Sequence, residues 1–303
     1  MNALLYFKAL SDQTRIRLLK LLEHKELSVN EITSVLGMGQ SRISRHLRIL
    51  TDSGLMKSRR DGLWVFYSTV DEGEGRRVLD SLEFLFQDKL FDLDRSRADE
   101  IAAQRLRETK NFFNSIAREW GKIRGELLVD FDPFPYLSSG NGPLATAVDL
   151  GCGTGDLIPV LSNMAERVIG IDNSPAMIEL ARKRFTGANG RVDLRLGELE
   201  HLPLSDREAD FALLNMVMHH LASPADCFRE TRRILNNGGI FKIIEFDKHS
   251  DERLRAEYGD RHLGFSEHEV TRFLKASGFG DITVDAVPLE NGLVVKIYTS
   301  CAV

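Results

Sequence analysis

The stretch Ala147-Val148-Asp149-Leu150-Gly151-Cys152-Gly153-Thr154-Gly155 sets a carboxylate beside three alternating glycines. Val148 to Leu150 reads as the end of a buried strand, the glycines as a sharp turn, and Asp156 to Leu161 as the opening of a helix. Strand, glycine turn and helix is how an open α/β sheet builds a nucleotide cleft, because glycine lets the backbone press against a ligand. Spacing decides which nucleotide. A dinucleotide fingerprint, G-x-G-x-x-G, needs glycine where this chain has Asp156. A carboxylate at that helix N-terminus repels a pyrophosphate. S-adenosylmethionine carries no phosphate, and its sulfonium and ammonium cations tolerate nearby carboxylates. The next apolar run, Arg167 to Asp172, ends in an acid 23 positions after Asp149. A carboxylate there can accept hydrogen bonds from both ribose hydroxyls.

The pattern continues through Asn173-Ser174-Pro175-Ala176-Met177, Gly197-Glu198-Leu199-Glu200-His201-Leu202-Pro203 and Ala209-Asp210-Phe211-Ala212-Leu213-Leu214-Asn215. On these residues the chain resembles the class I S-adenosylmethionine-dependent methyltransferases over about residues 110 to 300. The resemblance implies an α/β, Rossmann-like, seven-stranded domain that binds S-adenosylmethionine or S-adenosylhomocysteine. It implies that Gly151 and Gly153 let the methionine moiety approach, that Asp149 positions its ammonium, and that Asp172, with Asn173 beside it, binds ribose. Glu198 and Leu199 fall at the adenine edge. Met177 packs on adenine or simply in the core, and Asn215 lies under the methyl group or caps a strand.

A methyl acceptor leaves less trace. The Asn/Asp-Pro-Pro-Tyr/Phe loop of amino-methylating DNA enzymes is absent, since the fourth strand runs into Asn215-Met216-Val217-Met218-His219-His220. No Pro-Cys pair exists for attack on cytosine. Cys152, Cys227 and Cys301 do not resemble an arsenite thiolate set. His219, His220 and Glu245 are the evident general-base candidates near strand ends, each with a supporting hydrogen-bonded role as the alternative.

The elements that position these groups alternate in the second half: strands 147–150, 168–172, 192–196, 209–215, 239–246, 282–287 and 293–299, with helices at 156–163, 175–185, 223–235 and 266–277 between them. The last two strands read as a reversed hairpin closing the sheet, and Gly238-Gly239 as a helix C-cap.

The first third is different. Helices are expected over 4–10 and 13–23, then from the capping box Ser28-Val29-Asn30-Glu31 to Leu36, then over Gln40–Thr51 after the turn Gly37-Met38-Gly39. Two strands, 55–59 and 63–68, are joined by Arg60-Asp61-Gly62, a hairpin signal. Residues 41 to 60 hold six Lys/Arg against one acid, Asp52. Two helices about a glycine turn followed by a basic hairpin describe a winged helix-turn-helix. The stretches from Leu10 to Leu19 and from Gln40 to Leu50, with Gly54-Leu55, resemble the ArsR/SmtB family of bacterial repressors over residues 4 to about 92. The resemblance implies that the helix from Gln40 enters the major groove of double-stranded operator DNA. Gln40, Ser41, Arg42, Ser44, Arg45 and His46 are its candidate contacts, and Lys57, Arg59 and Arg60 are the wing's. Metal-sensing members carry Cys-x-Cys where this chain has Ser28-Val29-Asn30, so no metal site is expected there. His24 and His46 read as structural or surface groups.

An apolar helix over 78–93 places Leu82, Leu85, Phe86 and Leu90 on one side; the resemblance implies that it pairs with the first helix across the two-fold axis of a homodimer, as a palindrome reader needs, with intrachain packing as the alternative. Residues 95–107 are highly charged and free of Gly and Pro, which reads as a stiff helical connector. Residues 110–128 place Phe113, Ile116, Ala117, Trp120, Ile123 and Leu127 at helical spacing, either as a cofactor lid or as core.

Three segments follow: 1–94, DNA-binding and dimerisation; 95–132, connector and lid; 133–303, methyltransferase-like. With 303 residues, 43% hydrophobic and 28% charged, the chain fits two soluble domains. No apolar run approaches the roughly 18 residues of a membrane helix, and three scattered cysteines fit a reducing cytoplasm. Fused chains of this layout resemble a group of S-adenosylhomocysteine-responsive regulators of methionine-cycle genes, and that resemblance implies a repressor whose methyltransferase-like domain senses S-adenosylhomocysteine or S-adenosylmethionine. The alternative is an active small-molecule methyltransferase with an autoregulatory DNA-binding domain.

Overall fold

The computed structural model describes residues 3–23, 25–82, 89–128, 131–137, 144–187 and 190–303. It divides into two compact units, Met1–Leu106 and Arg107–Val303.

In the first unit, α1 (Ala3–Leu10) leads to α2 (Gln13–Leu21), capped by Asp12, whose carboxylate accepts from the Arg15 amide at 3.1 Å. Strand β1 (Leu27–Ser28) precedes α3 (Val29–Leu36). The expected capping box forms there: Ser28 Oγ accepts from the Glu31 amide and Glu31 accepts from the Ser28 amide. Helix α4 (Gln40–Asp52) buries Ile43, Leu47 and Leu50 at helical spacing against Leu18, Leu22 and Ile32. The wing is β2 (Met56–Asp61) against β3 (Trp64–Thr69), and the sheet order is β1-β3-β2. Asp61 pairs with Trp64, so the loop is Gly62-Leu63, with Gly62 at φ 58° supplying the left-handed turn.

The single helix expected over 78–93 is not what forms. Helix α5 (Gly73–Ser81) starts earlier and stops earlier, Leu85 and Phe86 lie outside the described residues, and Leu90 belongs to α6 (Lys89–Ile116). The connector segment 95–107 is helical within α6. Its first part packs on the winged helix, however, because the 1% exposed Asp94 accepts from Arg17 Nε and Nη2, each at 2.8 Å. Arg97 also donates to the Val35 carbonyl at 3.1 Å, and Arg105 pairs with Glu31. The first compact unit runs to Leu106 and so includes most of the connector segment.

In the second unit, α6 ends at Ile116, and a turn separates it from α7 (Trp120–Leu127). The expected helix over 110–128 is therefore broken. His24 lies outside the described residues. Strand β4 (Leu144–Leu150) is followed by α8 (Ile158–Met164), β5 (Ala165–Asp172), α9 (Pro175–Arg184), β6 (Val192–Leu196), β7 (Ala209–Asn215), α10 (Pro224–Ile234) and β8 (Leu235–Phe246). Then come α11 (Glu252–Tyr258), α12 (Glu267–Ala276), β9 (Phe279–Pro288) and β10 (Val294–Ala302). Among the described residues these strands make a seven-stranded sheet in the order β6-β5-β4-β7-β8-β10-β9. Only β10 runs antiparallel to its neighbours, which is the expected reversed hairpin.

Central strands carry apolar residues toward both faces, as a helix-covered parallel sheet requires. Val148, Leu150, Ile169 and Leu214 pack on one side, and Ala147, Val168, Phe211 and Leu213 on the other. Gly238 does not cap a helix. Helix α10 ends at Ile234, and Gly238 (φ 76°) sits inside β8, beside a register shift against β7 between Ala209 and Phe211. The carboxyl ends of β4, β5 and β7 carry Asp149, Asp172 and Asn215, and a ligand crevice belongs at such strand ends.

Candidate functional site

The glycine turn is shaped by three left-handed residues, Gly151, Gly153 and Gly155 (φ 75°, 53° and 80°). At Gly151 a Cβ would stand 2.5 Å from Val217 Cγ2, so this position needs both the conformation and the missing atom. The amides of Gly151 and Cys152 donate to the Ile171 carbonyl at 2.8 and 2.9 Å, closing the turn onto the end of β5. Asp149 is 3% exposed at the start of this turn.

Asp172 is gripped from two sides. The Gly153 amide donates to Oδ2 at 2.9 Å and the Ser174 amide to Oδ1 at 2.8 Å. Burial pushes this carboxyl above its ordinary range, against the pull of those two amides, with nearby Glu198 adding to the rise. Asn173 donates to Glu198 at 3.1 Å, which ties the β5 and β6 ends together. Leu199 and Met177 are buried. A residue outside the expected set completes this corner: Asn114, at the end of α6, accepts from Ser174 Oγ at 2.7 Å and the Ala176 amide at 3.3 Å. Its one sequence signal is a polar residue between apolar Phe113 and Ile116. Trp120 lies against the glycine turn, its indole nitrogen 3.5 Å from where a Gly153 Cβ would be.

Beyond Asn215, Met216 adopts φ 54°, unusual for a side-chain-bearing residue and placed at the edge of the crevice. Asn215 Oδ1 is buried with no hydrogen-bond partner among the described residues. The three base candidates do come together. His219 Nδ1 lies 2.6 Å from Glu245 Oε1, and Glu245 also accepts from the His219 amide at 3.1 Å. His220 meets His219 edge-to-face with centroids 4.1 Å apart, and Phe113 covers it edge-on at 4.8 Å. Asp260, outside the expected set, joins them, with its Oδ1 3.7 Å from His219 Nε2 and 3.8 Å from His220 Nδ1. Burial opposes the charge on His219, yet Glu245 and Asp260 outweigh it and hold its pKa at about 9. Burial and the neighbouring His219 charge keep His220 well below its ordinary value. His219 and Glu245 are 3% and 0% exposed. A buried imidazole that is held protonated and hydrogen-bonded to Glu245 does not suit a general base at neutral pH.

In the first unit, Gln40, Ser41, Arg42, Ser44 and Arg45 are all exposed along one face of α4. Arg42 and Arg45 have no ion pair among the described residues. His46 departs from its expected place: it is 9% exposed, one helical turn on from Ile43, and faces Asp12 at 3.8 Å. Its ring points into the fold, and burial lowers its pKa. On the wing, Arg60 is exposed. Lys57 pairs with Asp71. Arg59 is taken up internally: it bonds Glu26 at 2.6 Å and the fully buried Asp61 at 3.1 Å, and packs 5.1 Å over Phe66. Burial disfavours its charge, but the two carboxylates more than offset this and raise its pKa.

Comparison with known proteins agrees with both units. Residues 12–58 match the model of the bacterial regulatory protein arsR family, and residues 148–243 match a methyltransferase domain model. The chain is 35% identical over 143 residues to an uncharacterized 37.1 kDa protein of transposon TN4556 in Streptomyces fradiae, covering 46% of this chain and 40% of that one. It is 33% identical over 137 residues to a probable S-adenosylmethionine-dependent methyltransferase of Mycolicibacterium smegmatis, covering 44% and 51%. The chain thus spans about half or less of the length of these relatives. In fold, the second unit is similar to a SAM-dependent methyltransferase from Aquifex aeolicus (TM-score 0.51, 22% identity, 63% of this chain and 98% of that one). The chain carries an ArsR-family helix-turn-helix domain and, on the same polypeptide, a methyltransferase domain.

Proposed function

We propose that this chain is a DNA-binding repressor whose methyltransferase domain senses S-adenosylhomocysteine or S-adenosylmethionine, and that it controls methionine-cycle genes from the cytoplasm. The observation that carries the reading is Asp172, fixed by two backbone amides at the end of β5 with its remaining lone pairs free to accept from a ribose. Asp149, Gly151, Gly153, Asn173, Glu198, Leu199 and Asn215 line the same strand ends, with Met177 packed beneath. Sensing is favoured over turnover because His219, the most basic of the base candidates, is buried and held by Glu245.

Operator recognition falls to Gln40, Ser41, Arg42, Ser44 and Arg45, with Arg60 on the backbone. A homodimer through the first helix is supported by the exposed apolar residues Leu4, Leu5 and Phe7 of α1 and by Leu93 of α6 (63%, 45%, 69% and 47% exposed). Among the described residues no helix is long and apolar enough to cross a membrane.

The test is fluorescence anisotropy of labelled operator against each ligand, beside a methyl-transfer assay with labelled S-adenosylmethionine. Release of DNA by S-adenosylhomocysteine, absent in Asp172→Ala, supports the sensor. Similarity to named methyltransferases favours a second reading, an active small-molecule methyltransferase that regulates its own operon. Methyl turnover onto a metabolite without any effect on operator binding would replace the sensor with that enzyme.

A further inference from the structure

The loop after α11 is folded back onto the histidine pair by its own backbone. The amides of Arg261 and His262 donate to the His219 carbonyl at 2.9 and 3.1 Å. Gly259 turns the chain in the left-handed region at φ 74°. This brings Asp260 over the two imidazoles. Its carboxylate is 3% exposed, and neither oxygen has a hydrogen-bond partner among the described residues. The facing His220 Nδ1 is also buried without one. Arg255 acts on Asp260 through space but does not hydrogen-bond it. A buried carboxylate and a buried imidazole nitrogen, both unbonded and facing each other, call for a shared partner.

We propose that His219 Nε2, His220 Nδ1 and Asp260 form a binding site for a divalent transition-metal ion of the zinc class. The three donor atoms lie within 4.8 Å of one another. Zinc bonds to imidazole nitrogen and carboxylate oxygen are about 2.0–2.2 Å long, so a small inward movement of the rings brings all three into range. Glu245 takes the place an outer carboxylate has behind a metal-bound histidine. It holds His219 Nδ1 at 2.6 Å and so turns Nε2 toward Asp260. Two imidazoles and one carboxylate suit zinc or iron(II) rather than calcium or magnesium, which prefer all-oxygen shells. Glu245 and Asp260 set two buried carboxylates on either side of the His219 ring, a charge arrangement that favours a bound cation. Three protein donors leave a coordination position open for water or a ligand atom. The site is independent of the sensor reading.

The experiment uses the full chain, stripped with a chelator and titrated with cobalt(II), then with zinc in competition. One equivalent of cobalt per chain with visible d–d absorption, displaced by zinc, is expected. Asp260→Asn and His220→Ala should lose that absorption. Glu245→Gln should weaken zinc binding about 10- to 100-fold. Near-UV circular dichroism of the metal-free variants checks folding, and His220→Ala, at the edge of the cluster, carries the test if Asp260→Asn does not fold. Substoichiometric uptake by the wild type would overturn the site, as would unchanged affinity in both variants. So would a thiolate charge-transfer band, which would place the metal on a cysteine.

Discussion

The Gly153 amide donates to Asp172 Oδ2 at 2.9 Å, and this one bond joins the glycine turn after β4 to the end of β5. The carboxylate proposed to bind ribose is therefore positioned by the loop proposed to receive the methionine moiety. Ser174 holds the other oxygen, so the carboxylate is oriented before any ligand arrives.

Asp172→Ala should weaken S-adenosylhomocysteine binding by about 1.5–3 kcal/mol, roughly ten- to a hundredfold by calorimetry. Because burial raises the Asp172 pKa, protonation removes an acceptor at a higher pH than for a free aspartate, whose value is about 3.9. Affinity should accordingly fall on acidification while ordinary carboxylates are still ionised. An affinity untouched by the substitution would take Asp172 out of the site.

Arg42→Ala and Arg45→Ala should abolish operator-specific binding, because both side chains are exposed on α4 with no ion pair among the described residues. Arg60→Ala should weaken all DNA alike and reduce the salt slope by about one. Arg59→Ala should behave differently again. It removes the guanidinium beside the fully buried Asp61 and the ion pair with Glu26, and should cost about 1–3 kcal/mol of stability, read as an earlier denaturation midpoint. Equal loss of specific and non-specific DNA binding in the Arg42 and Arg60 variants would erase the division between helix and wing.

Gly151→Ala should destabilise the second unit more than Gly153→Ala. Both residues are left-handed, at a cost of about 1–2 kcal/mol for a side chain, but only Gly151 would also meet Val217, at 2.5 Å. Adding Val217→Ala should recover part of the loss in a double-mutant cycle of thermal melts. Additive effects would show that the contact is not felt.

Much of this was readable from period and spacing. The capping box at Ser28, the apolar face of α4, the alternation of strands and helices and the acids at strand ends are local patterns, and local patterns survive into the fold. The failures have local causes too. His46 sits three residues after Ile43 and four before Leu50, on the buried stripe, although its polarity suggested the outer face. Arg59 alternates outward in the wing pattern, but its partner Glu26 is 33 residues away, beyond any window. Nothing marks the end of α5 at Ser81, where neither Gly nor Pro interrupts the run. Asp260 reaches His219 only through the loop's backbone bonds, and no spacing rule brings residues 219 and 260 together.

The last prediction separates binding from response. Asn114 closes α6 onto the Asp172 corner through Ser174 Oγ and the Ala176 amide, while Asp94, Arg97 and Arg105 of the same helix bond Arg17, Val35 and Glu31 in the DNA-binding unit. In the sensor reading, a ligand that strengthens or loosens the Asp172 corner would bias α6, whose earlier turns hold α2 and α3. Equal affinity for two states shifts nothing, so the ligand must prefer one setting of this helix. A typical coupling of about 1–3 kcal/mol changes operator affinity roughly 5- to 150-fold. S-adenosylhomocysteine is expected to be the stronger effector and to release DNA, so that genes clearing this product are expressed when it accumulates. S-adenosylmethionine, with one more methyl and a positive charge, should act more weakly. Asn114→Ala removes the tie but no expected ligand contact. It should keep S-adenosylhomocysteine binding within a few-fold by calorimetry and lose most of the anisotropy response of labelled operator. An unchanged operator response in that variant, with ligand binding intact, would show that the signal does not travel through Asn114.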